Sequence, residues 1–302
     1  MTVMTIKTVA ILNPGEMGAA VGGALHEDGF DVIVCLEGRS EATRGRASTY
    51  GLRDVGSLDA LISTADMVLC IMPPEFSVAT AKKVAEAMGR TGCTPPYADC
   101  NAVAPETARI MEEVIKGAGA IFIDAGIVGN PPGKGPKPTR VFVSGPDAAL
   151  MDIFDVKGIA IKQCGPEIGR GSAVKMCYAG ITKGTSALHA AILIAAEALG
   201  VADELFEELT YSQEGQLKRM ENMTPALPAV SSRYIGEMRE ISKTMASVGA
   251  TTGFHDGSTE LYQLMEKTPF ASEIRETVDK DRTLRQTVRV CAKYLTVGDP
   301  AT

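Results

Sequence analysis

The sequence predicts an α/β protein, a doubly wound parallel sheet followed by an all-helical second half. Three observations predict it. Short apolar runs alternate with helical patterns through the first half, the signature of parallel βαβ units. The stretch "VAILNPGEMGAAVGGAL" (9–25) sets a glycine turn between the first strand and the first helix. After "KGIAIKQCGPEIGRG" (157–171) the strand patterns stop, and Ser172 to Leu199 reads as one long helix.

Each element has a local reason. The runs "KTVAIL", "DVIVCL", "MVLCIM", "PYADC", "AIFIDA" and "RVFVSG" are short, apolar and rich in β-branched residues, and read as buried strands. Helical spacing predicts helices over Glu16–Asp28, Glu41–Tyr50, Phe76–Met88 and Pro105–Lys116. Pro73 and Pro74 stop "MVLCIM" and set the entry to the next helix. Gly200 is a natural C-cap for the long helix, and breaks follow at 224–228 and 251–257. The boundary falls near 165–170, giving domains at 1–166 and 167–302, the second entered by the long helix.

Composition excludes several classes. The chain has 302 residues, 45% hydrophobic and 22% charged, as a soluble globular protein with a real core requires. A net charge of −7 argues against a broad nucleic-acid surface. The start "MTVMTIKTVAILNPG" lacks the basic region, apolar stretch and cleavage site of a secretory signal. The longest apolar run, "ALHAAILIAAEALG", is short for a bilayer and carries His189 and Glu197, so no membrane span is expected. Seven cysteines without CxxC spacing and three scattered histidines predict neither a zinc site nor a disulfide framework. Reduced, mostly buried thiols in a cytoplasm are the expectation.

A dinucleotide site needs a strand, a tight turn, and a helix whose first N–H groups meet the pyrophosphate. Residues 8–25 supply all three in order, with Asn13 where the first glycine usually stands. Asn13, Pro14, Gly15, Glu16, Met17 and Gly18 are therefore cofactor candidates in a Rossmann arrangement, against the alternative of an ordinary βα turn. Gly15 is where backbone approaches phosphate, and Gly18 is where the helix packs on the strand. Met72, Pro73 and Asn101 join them at the carboxyl ends of later strands. The second strand ends "VIVCLEGRS": Glu37 is placed to hold the ribose of NAD, whereas Arg39 and Ser40, with Arg44 and Arg46 one turn on, suit a 2′-phosphate. The balance favours NADP and leaves NAD open; a solvated charged loop is the alternative.

Four segments, in order, resemble the β-hydroxyacid dehydrogenases, relatives of 6-phosphogluconate dehydrogenase. "ILNPGEMG" is similar to the family's G-x-G-x-M-G, and "DCNAVAP" (99–105) to its D-x-S-T-x-x-P. "FIDAGIVGNPP" (122–132) resembles its D-A-P-V-S-G-G substrate loop, and "GRGSAVKMCYAG" (169–180) its G-x-G-x-x-x-K-x-x-N-N helix start. The segment "SSRYIGEMREISKTMASVGATTGFHDGSTELYQLM" resembles the C-terminal domain of a bacterial subgroup labelled 6-phosphogluconate-dehydrogenase-like. The resemblance implies that Lys175 is the catalytic lysine, that Ile127, Val128, Gly129 and Asn130 form the substrate loop, and that the chain dimerises through its helices. Val128 replaces the loop serine, Asn130 stands at the second glycine, and Tyr178 and Ala179 replace the two asparagines.

Hydride transfer to a carbonyl leaves charge on oxygen, so the site needs a proton donor there. Lys175 fits that role, and Tyr178, Thr182, Ser186 and His189 follow it roughly on one helical stripe. Tyr178 can donate a second bond, and Thr182 and Lys183 can reach substrate or cofactor; all four have a plain reading as helix-surface residues. The stiff, basic loop "NPPGKGPKPT" offers Lys134 or Lys137 to an acidic substrate. Glu237, Arg239 and Glu240 read as surface pairs, and His255 and Asp256 as loop residues. The expected molecule is a cytoplasmic, homodimeric NAD(P)-dependent dehydrogenase acting on a small polar hydroxy or keto compound, with its site in the crevice between its two halves. An imine reductase of similar plan and a non-catalytic dinucleotide sensor are the alternatives.

Overall fold

A computed structural model of the chain describes residues 5–274 and 277–296. The chain divides into two compact units, Met1–Tyr178 and Ala179–Thr302. The division lies inside the long helix, further along than 165–170, because the first turns of that helix pack on strands of the first unit.

In the first unit the order is β1 (Thr8–Ile11), α1 (Glu16–Glu27), β2 (Asp31–Val34), α2 (Glu41–Thr49), β3 (Arg53–Asp54), α3 (Leu58–Thr64) and β4 (Met67–Cys70). A 3₁₀ turn at Pro74–Phe76 then leads into α4 (Ser77–Thr91), β5 (Tyr97–Asp99), α5 (Pro105–Gly117), β6 (Phe122–Val128), β7 (Thr139–Ser144) and β8 (Ile159–Gln163). Among the described residues these strands form one sheet of order β3-β2-β1-β4-β5-β6-β7-β8. It is parallel throughout except that β7 runs antiparallel to β6. The reason lies in the connection: residues 129–138 carry four prolines and no helix, so the chain turns back rather than crossing over. The strand order reverses between β1 and β4, the switch point at which such sheets bind ligands.

Apolar residues cover both faces of the sheet, which is why β4 and β6 are buried along their whole length. Local signals set the ends. Ser40 and Ser57 cap α2 and α3, Pro105 opens α5, and Gly92 closes α4 in the left-handed region at φ 71°. The short β3 and α3, and the strand β8 hidden in "KGIAIKQCG", lie outside the predicted elements; segments this short carry little periodicity.

The long helix α6 (Arg170–Leu199) closes at Gly200, which takes φ +72° as a C-cap glycine does. By length and composition α6 is long and apolar enough to cross a membrane, with a mean hydropathy of 1.2 over its most apolar window, of which 44% is buried. The helix is longer than the apolar run read from the sequence, and the core helix of a soluble protein meets the same criterion.

Beyond α6 the second unit holds α7 (Ala202–Ser212), α8 (Glu214–Met223), α9 (Leu227–Ser247), α10 (Gly253–Glu266) and α11 (Leu284–Ala292). Its core includes Met238, Ile241, Met265 and the fully buried Tyr262. Arg282, also buried, donates to both carboxylate oxygens of Glu273 and to the Pro225 carbonyl, and lies 4.0 Å above the Phe270 ring. His255 and Asp256 stand in the first turn of α10, not in a loop.

Candidate active site

The turn from β1 to α1 is built by close packing. A Cβ on Gly18 would stand 2.2 Å from the Asn13 carbonyl oxygen and 3.3 Å from Ile11, so only glycine lets α1 begin this near the strand. Gly15 differs: a Cβ there would meet nothing nearer than the Asn13 amide at 3.6 Å. Unlike α2 and α3, α1 has no side-chain cap, and its N-cap is Gly15. An open glycine before an uncapped helix fits the pyrophosphate of a dinucleotide. Glu16 forms an ion pair at 3.7 Å with Lys134 of the proline-rich loop, which lays that loop beside the α1 terminus.

At the end of β2 the Arg39 guanidinium reaches back to donate to the Leu12 carbonyl at 3.2 Å, bringing its charge to the carboxyl end of β1. Arg44 is committed to the Leu36 and Arg39 carbonyls and braces the turn. Ser40 caps α2 through Thr43, while Glu37 lies exposed.

A buried polar network links the ends of β4, β5 and β6. Asn101, 2% exposed, accepts from the Met72 N–H at 2.6 Å and donates to Asp99 at 2.6 Å and to the Cys70 sulfur at 3.3 Å. Its amide is therefore turned inward, and what it does for the cofactor turn is hold the backbone of Met72 next to Pro73. Asp99 lies opposite Asp124 on the neighbouring strand, and both are fully buried. Burial, and after it the charge of Asp124, pushes the Asp99 carboxyl up to about 8.

Asp124 organises the start of α6. It accepts from the N–H groups of Gly169 (3.1 Å) and Ser172 (3.0 Å), from the Ser172 hydroxyl, and from the Ser144 hydroxyl (2.7 Å), whose oxygen in turn accepts from the Gly171 N–H. Two N–H groups at the helix start, those of Gly169 and Ser172, thus end on one anchored carboxylate, and a third reaches it through Ser144. Two residues along β6, a Cβ on Gly126 would stand 2.6 Å from the Lys175 Cβ and 2.8 Å from the Gly171 carbonyl oxygen. Gly126, where the resembling loop carries proline, is what lets α6 lie on the sheet. Lys175 is thereby seated on the strand that leads into the loop of Gly129 and Asn130. Ile127 and Val128, read as substrate contacts, are core residues at 6% and 2% exposure; the loop presents only Gly129 and Asn130 outward.

These features coincide with a known domain. The model of the NAD binding domain of 6-phosphogluconate dehydrogenase matches residues 8–160. The chain belongs to this family. Residues 196–265 match a second model, described as a domain of unknown function (DUF1932). A conserved protein of unknown function, described as similar in structure to 3-hydroxyacid dehydrogenases, aligns at 28% identity and a TM-score of 0.62, covering 85% of this chain and 98% of its own. The mitochondrial 3-hydroxyisobutyrate dehydrogenase of Drosophila melanogaster is 26% identical over 57% of this chain, which spans about half (52%) of that enzyme. An imine reductase from Myxococcus stipitatus in complex with NADP+ shares the fold at 17% identity and a TM-score of 0.53, covering 85% of this chain and 92% of that one.

Several candidate residues lie outside the NAD-binding unit of this 6-phosphogluconate dehydrogenase relative. Lys183 is a partly buried structural partner: it pairs with Glu237, and its ammonium sits 4.9 Å from the Tyr234 ring centroid. Glu237 and Glu240, expected on the surface, are 7% and 8% exposed. The Thr182 hydroxyl donates to the Ala179 carbonyl at 3.3 Å, and that of Ser186 to the Thr182 carbonyl. His189 is partly buried, and that burial lowers its pKa. Of the seven cysteines, all free, Cys70, Cys100 and Cys291 are buried, Cys177 is exposed, and the rest are intermediate, so fewer are buried than expected. Among the described residues no group of His, Cys, Asp and Glu is arranged to hold a metal.

Sequence reading passed over Asp99, Asp124, Ser144, Ser172 and Gly126. Signals existed: an acid closing each apolar run in "YAD" and "IFID", and a glycine inside a strand, which marks a close approach.

Proposed function

We propose that the chain is an NADP-preferring oxidoreductase moving hydride between nicotinamide and a small polar hydroxy or keto compound, a hydroxyacid in the first place, with Lys175 as general acid and base. The observation that carries this reading is the seat of Lys175 against Gly126, one turn into a helix whose start is anchored by Asp124. Residues 13–18, Met72 and Pro73 would hold the dinucleotide, with Arg39 and Ser40 at its 2′-phosphate. When bound, NADP supplies or receives the hydride. On reduction Lys175 protonates the substrate oxygen, and on oxidation it takes that proton back. Tyr178, one turn on and 45% exposed, would donate a second hydrogen bond to the same oxygen, and the Gly129–Asn130 backbone and Thr182 would contact the substrate. We place the protein in the cytoplasm as a homodimer, and read α6 as a core helix rather than a membrane span; free thiols suit a reducing compartment.

NADPH oxidation with a panel of small keto acids tests the reading. Lys175→Met should keep NADPH binding and lower turnover by roughly 10²–10⁴-fold. Tyr178→Phe removes one hydrogen bond and should cost only about 1–3 kcal/mol. An essential tyrosine with a dispensable lysine would instead favour imine chemistry, and failure to bind NADPH would sink the proposal.

A further inference from the structure

The face of the sheet that carries Lys175 also carries a cation that the sequence reading did not single out. β6 and β7 pair antiparallel, with Asp124 opposite Ser144, Gly126 opposite Phe142 and Val128 opposite Arg140. Residues directly opposite in such a pair send their side chains to one face. The contacts identify that face: Ser144 bonds Asp124 at 2.7 Å, and the Lys175 Cβ lies against Gly126. Arg140 projects from it two residues from Phe142, toward the loop that joins β6 to β7.

Its guanidinium rests on Gly129. A Cβ there would stand 3.2 Å from Nη2 and 3.5 Å from both Cζ and Nη1, and Gly129 itself takes φ +115°. The positive φ calls for glycine, and the guanidinium lies in close contact with it. Nη1 donates to the Pro138 carbonyl at 3.2 Å, and among the described residues no carboxylate pairs with Arg140. Lys134, one of the two loop lysines that the sequence offered, is engaged by Glu16. From Gly126 to Gly129 is about 10 Å of strand. Lys175 and Arg140 therefore flank one short stretch of backbone, and between them lies Val128, whose buried side chain offers no hydroxyl.

We infer that Arg140 receives the carboxylate of a small organic acid, with the reacting carbon held toward Lys175. The planar guanidinium fork matches a carboxylate in two parallel bonds, a match that neither Val128 nor a lysine can make. The inference rests on the oxidoreductase reading only in calling that acid a substrate; the anion site itself is tested without turnover. Malonate, which accepts no hydride, is titrated calorimetrically into the protein with and without NADPH, beside neutral malonamide and inorganic phosphate. Wild type should bind malonate in preference to both. Arg140→Gln should weaken malonate about ten- to a hundredfold, Arg140→Lys should retain part of the affinity, and Lys116→Gln, at an exposed site on α5, should change nothing. Unfolding midpoints confirm that each variant is folded. Equal malonate affinity in wild type and Arg140→Gln overturns the inference, as does a wild type that prefers phosphate or malonamide or that binds no malonate. NADPH binding, read on the same samples, reports separately on the oxidoreductase reading.

Discussion

Arg39 is one exposed arginine, yet its contact with Leu12 carries its charge from the end of β2 to the end of β1, where the glycine turn begins. That placement gives the preference for NADP a test at the level of one side chain. Arg39→Ala should weaken NADPH roughly five- to tenfold while NADH changes little, because one exposed charge-assisted contact is removed. Fluorescence titration of the two cofactors reads it, and an unchanged NADPH affinity would assign the adenine ribose to Glu37. Glu16 and Lys183 make the opposite point. Both are plausible ligand groups by type and position, and both are engaged by a partner distant in sequence, Lys134 and Glu237.

At the scale of elements, α6 has two different jobs along its length. Its start is clamped to β6 and β7 through Asp124, Ser144 and Gly126. Further along, Ile181, Leu188, Ile192 and Leu199 lie exposed, from 54% to 76%. Steps of four and seven residues place them on one seam, the spacing with which helices pair. We propose that the dimer forms along this seam of α6. Light scattering should find a dimer at micromolar concentration, and Ile181→Asp with Leu188→Asp should dissociate it by at least about a hundredfold, from the loss of two buried apolar side chains. A wild-type monomer would refute the contact.

For the molecule as a whole, the buried Asp99 of β5 sets a pH dependence. Asp99 holds its proton up to about pH 8 in the folded chain, whereas an unfolded aspartate releases it near 4. Between those values the folded state binds more protons, so this group's contribution to stability is full below about pH 4, declines as pH rises, and is gone above about pH 8. Asp99→Asn removes the titration. Urea midpoints at pH 6 and pH 8 should show the wild type losing about 2 kcal/mol more than the variant over that interval. Equal slopes would mean that Asp99 is ionised throughout.

What the sequence by itself determined was whatever rests on neighbours in the chain. Apolar runs, helical spacing, caps and proline stops placed most strands and helices of the first unit, the glycine turn, and Lys175 at a helix start. Residues that act through partners far along the chain took their meaning from tertiary structure. Asp124 anchors a helix forty-five residues away at Gly169, Asn101 turns inward to hold Met72, and Ile127 and Val128 are core because β7 doubles back beside them. The proline-rich connection turns the hairpin back, but the register that puts Arg140 and Lys175 on one face is decided by strand pairing. Chain-local forces act within a turn or two; burial and long-range hydrogen bonds decide which polar group stays outside and which becomes part of the frame.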